Sequence, residues 1–293
     1  MISYCALATI SLITQGLARG ALGERVPPSS PPLAGYQLVW SDEFDARQGA
    51  DASAPDPSKW KPWAIGKRRD AMNVADAAQL DGLGHLVITT ARVQSLQPDQ
   101  PHYTSGGVWT PGIFEPTCGY FEARIKFQAQ LGHWGAFWLN CAPMGEPVGD
   151  TAKGGVEMDI IEFHHRLKNK QTGQYLAQQT LHWDGYGKDH RSVGHTPTLT
   201  FAPDDDFHTY GLLWTSEQYV YYIDGIETWR VKKGAAEAGG VKGAFSPSQR
   251  PEYLILSLEV GEWGGTDEQR EAATFPDSMI VDWVRVWQAK EPQ

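Results

Sequence analysis

The sequence predicts an all-β protein, an antiparallel two-sheet sandwich, and three observations carry that expectation. Short runs rich in β-branched and aromatic residues recur along the chain, punctuated by Gly, Pro, Asn and Asp. Two of them, Glu122-Ala123-Arg124-Ile125-Lys126-Phe127 and Val281-Asp282-Trp283-Val284-Arg285-Val286-Trp287, alternate as half-solvated strands do. Helical periodicity is confined to a turn or two over residues 267–273. In a sandwich of this size one sheet can curve into a long groove.

Taken in order, residues 2–18 form an apolar run that resembles a secretory signal peptide, with Ala18, Ala21 and Gly23 as candidate cleavage positions. No Lys or Arg precedes the run, and a retained N-terminal anchor is the alternative. Residues 1–23 are read as the leader, 24–35 as a Pro/Ser-rich linker and 36–290 as one catalytic domain. The expected product is a secreted monomer, extracellular or periplasmic, with no membrane span in the mature chain. Strands are predicted over residues 37–40, 85–90, 119–127, 135–140, 156–163, 210–215, 219–223, 227–231, 254–260 and 279–288, with an Asp224-Gly225 turn. With 293 residues and 41% hydrophobic content the chain can bury a sizeable core, and a net charge of −10 argues against nucleic acid or an anionic membrane as partner.

Once a leader carrying Cys5 is removed, Cys118 and Cys141 remain. They flank a turn at Gln130-Leu131-Gly132 between two strand-like runs. A hairpin there would set them opposite one another, predicting a cross-strand disulfide; two free buried thiols are the alternative.

The acidic stretch Gly155-Val156-Glu157-Met158-Asp159-Ile160-Ile161-Glu162-Phe163 organises the rest. In a regular strand Glu157 and Asp159 share a face, but Glu162, five positions from Glu157, would point into the apolar layer. A single β-bulge near Ile160-Ile161 returns Glu162 to the face of the other acids and leaves both isoleucines buried. A solvated acidic edge strand is the plain alternative, yet Trp- and His-rich segments enclose this one. Crowded carboxylates in a cleft split their pKa values, which leaves one protonated and one ionised. A nucleophile and a general acid about 5–5.5 Å apart is what a retaining glycosidase needs.

Six blocks in order carry a family resemblance: Trp40-Ser41-Asp42-Glu43-Phe44, Gly119-Tyr120-Phe121-Glu122-Ala123-Arg124-Ile125-Lys126, Trp134-Gly135-Ala136-Phe137-Trp138, the acidic stretch, Phe207-His208-Thr209-Tyr210-Gly211 and Val281-Asp282-Trp283-Val284-Arg285-Val286. Together they resemble glycoside hydrolase family 16, in the bulged-motif branch of laminarinases, agarases, carrageenases and galactanases. The resemblance implies a concanavalin A-like β-jelly roll and retaining endo-hydrolysis of a β-linked polysaccharide, with β-1,3-glucan and β-galactan as the candidate substrates. It implies Glu157 as nucleophile, Glu162 as acid/base and Asp159 as the carboxylate orienting the nucleophile, with no cofactor for the chemistry.

The same resemblance places Trp134 and Trp138 beside the cleft, Trp134 as the first sugar platform and Trp138 as cleft or core. Gly135 stands where the family usually has Pro. His182 matches a strand beside the catalytic one, as a partner of the acids or a structural His; Trp109 and Trp263 are groove or packing residues. A structural calcium is implied at Asp282, the Gly84 carbonyl and Glu43, against an ordinary hydrogen-bond network. His164 and His165 point to opposite faces and cannot easily share one ion, which argues against zinc. The Arg68-Arg69 pair, in a segment unlike laminarinases, is either surface charge or a site for an acidic or sulfated sugar. A transglycosylase and a non-catalytic glycan-binding module are the alternative functions; the latter typically lacks one or both glutamates.

Overall fold

The computed structural model describes residues 34–49, 51–94, 101–234 and 245–290; the expected leader and most of the linker lie outside the described residues. The strands are β1 (Tyr36–Asp42), β2 (Lys61–Pro62), β3 (Gly66–Arg68), β4 (Ala71–Asn73), β5 (Ala78–Leu80), β6 (Leu86–Arg92), β7 (Tyr103–Trp109), β8 (Gly119–Lys126), β9 (His133–Asn140), β10 (Glu157–Phe163), β11 (Gln178–Trp183), β12 (Arg191–His195), β13 (His208–Trp214), β14 (Gln218–Ile223), β15 (Ile226–Lys232), β16 (Tyr253–Val260) and β17 (Asp277–Ala289). Two short helices, α1 (Thr151–Gly154) and α2 (Asp267–Ala272), complete the framework. Thr266 and Gln269 close a reciprocal capping box on α2, which fixes the helical turn where it was predicted.

Two antiparallel sheets face each other. The outer one runs β5-β6-β17-β8-β13-β14-β15, with β1 sharing the long β17 beside β6. The inner one runs β7-β16-β9-β10-β11-β12. At one edge the β3–β4 hairpin lies parallel on β7, and β6 pairs with β7 to join the sheets.

Alternation decides which side chains fill the space between them. Phe137 and Leu139 of β9, Met158 of β10, and Leu254, Leu256 and Leu258 of β16 meet Phe121, Ala123, Ile125, Tyr210 and Leu212 of the outer sheet. Burying each large member stabilises the fold by roughly 1.5–3 kcal/mol. The intervening residues of β9, β10 and β16 face away from this core, where the groove forms. Asp224 and Gly225, at φ 49° and 73°, make the tight turn between β14 and β15.

The predicted hairpin around residues 130–132 is corrected here. β8 already has β13 and β17 on its two sides in the outer sheet, while β9 lies between β10 and β16 in the inner one. The connection therefore crosses between sheets, and Cys118 and Cys141 are free thiols rather than a disulfide. Burial pushes both thiols up, Cys118 to about 11 and Cys141 to about 12, so both are protonated at neutral pH.

β7 escaped the sequence reading because Gly106 and Gly107 interrupt it. A Cβ on Gly107 would lie 2.2 Å from the Leu256 carbonyl oxygen, so only glycine lets β16 approach. Among the described residues no helix is long and apolar enough to cross a membrane.

Candidate active site

The predicted bulge is present in β10. Asp159 lies opposite Trp138 and Ile161 opposite Phe137, so Ile160 is the extra residue. Ile160 and Ile161 are both fully buried. Beyond the bulge Glu162 sits between Ala136 and Gln178, in a row that continues to Ser257. Glu157, Asp159 and Glu162 thereby line the floor of one groove of about 740 Å³, within the usual range for ligand pockets.

Each acid has its own environment. Asn140 Nδ2 donates to Glu157 Oε2 at 2.5 Å, and the Tyr186 hydroxyl donates to the same oxygen. Burial, then the Asp159 charge, raise Glu157 to about 8, while the Tyr186 bond and His182 oppose the rise. Asp159 is raised by burial against the pull of His182, whose Nε2 stands 3.2 Å from Asp159 Oδ2. Burial, followed by Asp159, Glu157 and Glu259, lifts Glu162 well above the usual carboxylate range.

Two donors favour the charged form of Glu157, whereas three neighbouring carboxylates disfavour the charge of Glu162, although both carboxyls are raised. His182 continues the network, its Nδ1 2.9 Å from His190 Nε2 with the rings stacked. Burial works against the imidazolium of His182, but the Asp159 bond and the charges of Asp159 and Glu157 raise it overall. Burial and His182 lower His190.

Glu157, Asp159 and His182 also bring ligand atoms within 4.8 Å of one another. Glu157 accepts from Asn140 and Tyr186, and Asp159 pairs with His182. His164 and His165 do diverge: His165 reaches the Gln128 carbonyl at 2.9 Å, whereas His164 packs against Trp263.

The aromatic expectations separate. Trp134 is only 3% exposed, beneath the Arg69 guanidinium at 5.0 Å and edge-on to Trp263. Trp138 is the more open of the two, fixed by Nε1 donating to Ser257 Oγ at 3.0 Å and by the edge of Trp63. Trp134 and Trp138 both line the groove. Trp109 packs on Tyr253, and both line the groove, as Trp263 does.

Arg68 and Arg69 converge on one buried carboxylate, Glu259, at 3.1 and 2.7 Å. Their charges are therefore partly spent within the protein, which weakens the reading of a dedicated sulfate or carboxylate site. The calcium residues lie elsewhere. Asp282, at a bulge in β17, accepts from Arg124 at 2.5 Å, and Glu43 accepts two hydrogen bonds from Arg285. Both carboxylates are paired with guanidiniums, so these side chains do not fit a cation shell. No step of the chemistry is routed through calcium.

Asn140, Tyr186, His190, Trp63 and Glu259 were missed in the sequence. The period of two that selects Trp138 also selects Asn140, and the same rule applied to β16 selects Glu259; that signal was legible. Tyr186 and His190 come from the irregular segment after β11, where no periodicity points inward.

Tyr186→Phe removes one of the two donors on Glu157. The acidic limb of the kcat/KM profile is expected to move to higher pH, with activity falling about 10-fold or more. A pH profile unchanged from wild type would remove Tyr186 from the site.

The model of Glycosyl hydrolases family 16 matches residues 70–285. The chain belongs to glycosyl hydrolases family 16. Among relatives, it is 28% identical over 281 residues to glucan endo-1,3-beta-glucosidase A1 of Niallia circulans, covering 89% of this chain and 39% of that protein. It is 27% identical to beta-glucanase of Rhodothermus marinus, covering 86% and 85%. A keratan-sulfate endo-1,4-beta-galactosidase of Sphingobacterium multivorum is 28% identical, covering 86% and 55%. Of the first of these, then, the chain spans well under half the length. The solved catalytic domain of an endo-1,3-beta-glucanase (laminarinase) from Thermotoga petrophila superposes with a TM-score of 0.67 at 28% identity, covering 87% of this chain and 99% of that one. That structure shares the sandwich fold of this chain.

Proposed function

We propose that this family 16 protein is a retaining endo-β-glycanase whose substrate is a β-1,3-glucan. The observation that carries the reading is the bulge at Ile160, which sets Glu157 and Glu162 on one groove face, Glu157 under two hydrogen-bond donors and Glu162 among three other carboxylates. The relatives that act on 1,3-linked glucan support the sugar.

In the first half-reaction the ionised Glu157 carboxylate attacks the anomeric carbon as the glycosidic bond breaks, and Glu162 gives its proton to the leaving oxygen. A covalent glycosyl-enzyme results. In the second, Glu162 takes a proton from water, the hydroxide oxygen bonds to the anomeric carbon and Glu157 departs. Asp159, tied to His182, holds negative charge beside Glu157 and keeps the Glu162 proton in place. Asn140 and Tyr186 fix the attacking carboxylate in one orientation.

The test is release of reducing ends from laminarin, mixed-linkage glucan, β-1,3-galactan, agarose and carrageenan, each beside Glu157→Ala. Laminarin is expected to be cut fastest, into fragments of mixed length, with no release by the variant. Preference for the galactan would change the sugar and keep the mechanism. Products longer than a defined oligosaccharide substrate would show transfer to sugar instead of water. Silence on all five by folded protein would point to a binding module.

A further inference from the structure

His164 has no role in the chemistry above, and its surroundings are unusual. It follows Glu162 by two residues, so it takes the groove side of the strand while Phe163 between them enters the core. It is 4% exposed, and neither ring nitrogen has a hydrogen-bond partner. Buried polar groups are ordinarily paired, and an imidazole left with two idle nitrogens is destabilising.

Trp263 packs against it. The two rings meet edge to face at 4.6 Å, and Trp263 itself lines the groove. The backbone around both is fixed. Arg166, leaving the same strand, donates to the Glu262 carbonyl at 2.6 Å, and Gln128 donates to the Phe163 carbonyl at 2.9 Å. Next to Trp263, Gly264 is pressed so closely on the His133 backbone that a Cβ would lie 2.6 Å from its nitrogen. A side-chain rotation of Trp263 is therefore the simplest motion that opens His164 to the groove. Burial and then Arg166 hold His164 down to about 4, so at neutral pH the ring offers one donor and one acceptor.

We infer that His164 is a substrate-recognising residue, whose neutral ring pairs with the hydroxyls of a sugar unit that displaces the edge of Trp263, on the side of Glu162 remote from Glu157. The inference rests on the glycanase reading. A pyranose carries vicinal hydroxyls that both donate and accept, which matches the two idle nitrogens. Sugar binding would then satisfy a group that the free protein leaves unpaired.

His164→Phe keeps the ring and its contact with Trp263 but removes both nitrogens. His164→Gln keeps a donor and an acceptor. Both are to be measured on a ladder of oligosaccharides cut from whichever polymer the wild type cleaves, with melting temperatures alongside. The Phe variant is expected to melt no lower than wild type, yet to lose about 5–10-fold in kcat/KM on long substrates. On the shortest cleavable substrate the loss should vanish, and Gln should recover most of it. A Phe variant that matches wild type at every length overturns the inference and leaves the glycanase reading intact. So does an equal loss at every length together with a lower melting temperature, which would assign the ring to packing alone. A wild type inert on all the polymers overturns both.

Discussion

Glu157→Ala and Glu162→Ala are each expected to lower hydrolysis by more than about 10³-fold while the protein stays folded. The two losses differ in what repairs them. With Glu157 gone, azide or formate can enter the vacated space and attack the anomeric carbon directly. That single displacement inverts the centre, so a β-linked substrate gives an α-glycosyl azide. With Glu162 gone, a substrate bearing a good leaving group still forms the glycosyl-enzyme on Glu157. Azide then attacks from the opposite face in a second displacement, and the product is the β-azide. The anomeric configuration therefore assigns each carboxylate its role separately. Rescue of neither variant, or the two anomers exchanged, would overturn the assignment. Asp159 gives no such product, because it is paired with His182 and does not bond to the sugar in this scheme.

The second large effect is on stability against pH. Burial, and then the charges of neighbouring carboxylates including Glu259, raise Glu157, Asp159 and Glu162 above their ordinary values, Glu157 to about 8. A carboxyl raised on folding binds its proton more tightly in the folded than in the unfolded protein. Below the ordinary value near 4.5 both states are protonated and the shift is without effect. As pH climbs from there towards 8 the unfolded chain has already released protons that the folded site keeps, and folding stability falls. Above the folded value the penalty is complete.

Glu157→Gln, which keeps the shape and removes the charge, should therefore melt close to wild type near pH 4.5 and above it at pH 8. The difference at neutral pH should be on the order of 2–3 kcal/mol, which for a domain of this size is several degrees. Thermal melts of both proteins from pH 4.5 to 8.5 measure it. A gap that does not change with pH would mean that the three carboxylates are not strained by burial. The site would then be a stability cost only in name, and the protonation scheme for Glu162 would lose its support. The same titrations bound the activity profile: the acid side falls as Glu157 gains a proton, the alkaline side as Glu162 loses one.

Much of this protein was readable without coordinates. The offset between Glu157 and Glu162 is odd, and with Ile160 and Ile161 both needing burial, a bulge was the one local solution that suits acids and isoleucines together. The structure has the extra residue at Ile160. Strand identity also followed from alternation, since a period of two puts Phe137 and Leu139 in the core and Trp138 and Asn140 in the groove. The order of six family blocks fixed the fold around them. These properties are local, because they depend on which neighbours along the chain are apolar.

Pairing between distant strands was not local, and there the reading failed. The runs before and after residues 130–132 look like a hairpin, yet β8 and β9 belong to opposite sheets, because β8 has both edges filled by β13 and β17. The two cysteines consequently remain thiols. Arg69, brought in from the β3–β4 hairpin, lies over the ring of the groove residue Trp134. Tyr186, from an irregular loop, reaches Glu157 across 29 residues, and Arg69 reaches Glu259 across 190. Alternation along each strand thus determined which residues face the groove, because the geometry of a strand imposes it on any sequence. Which side chains cover, pair with and charge those residues was decided by the tertiary structure, because burial and electrostatics act through space between elements that no spacing along the chain brings together.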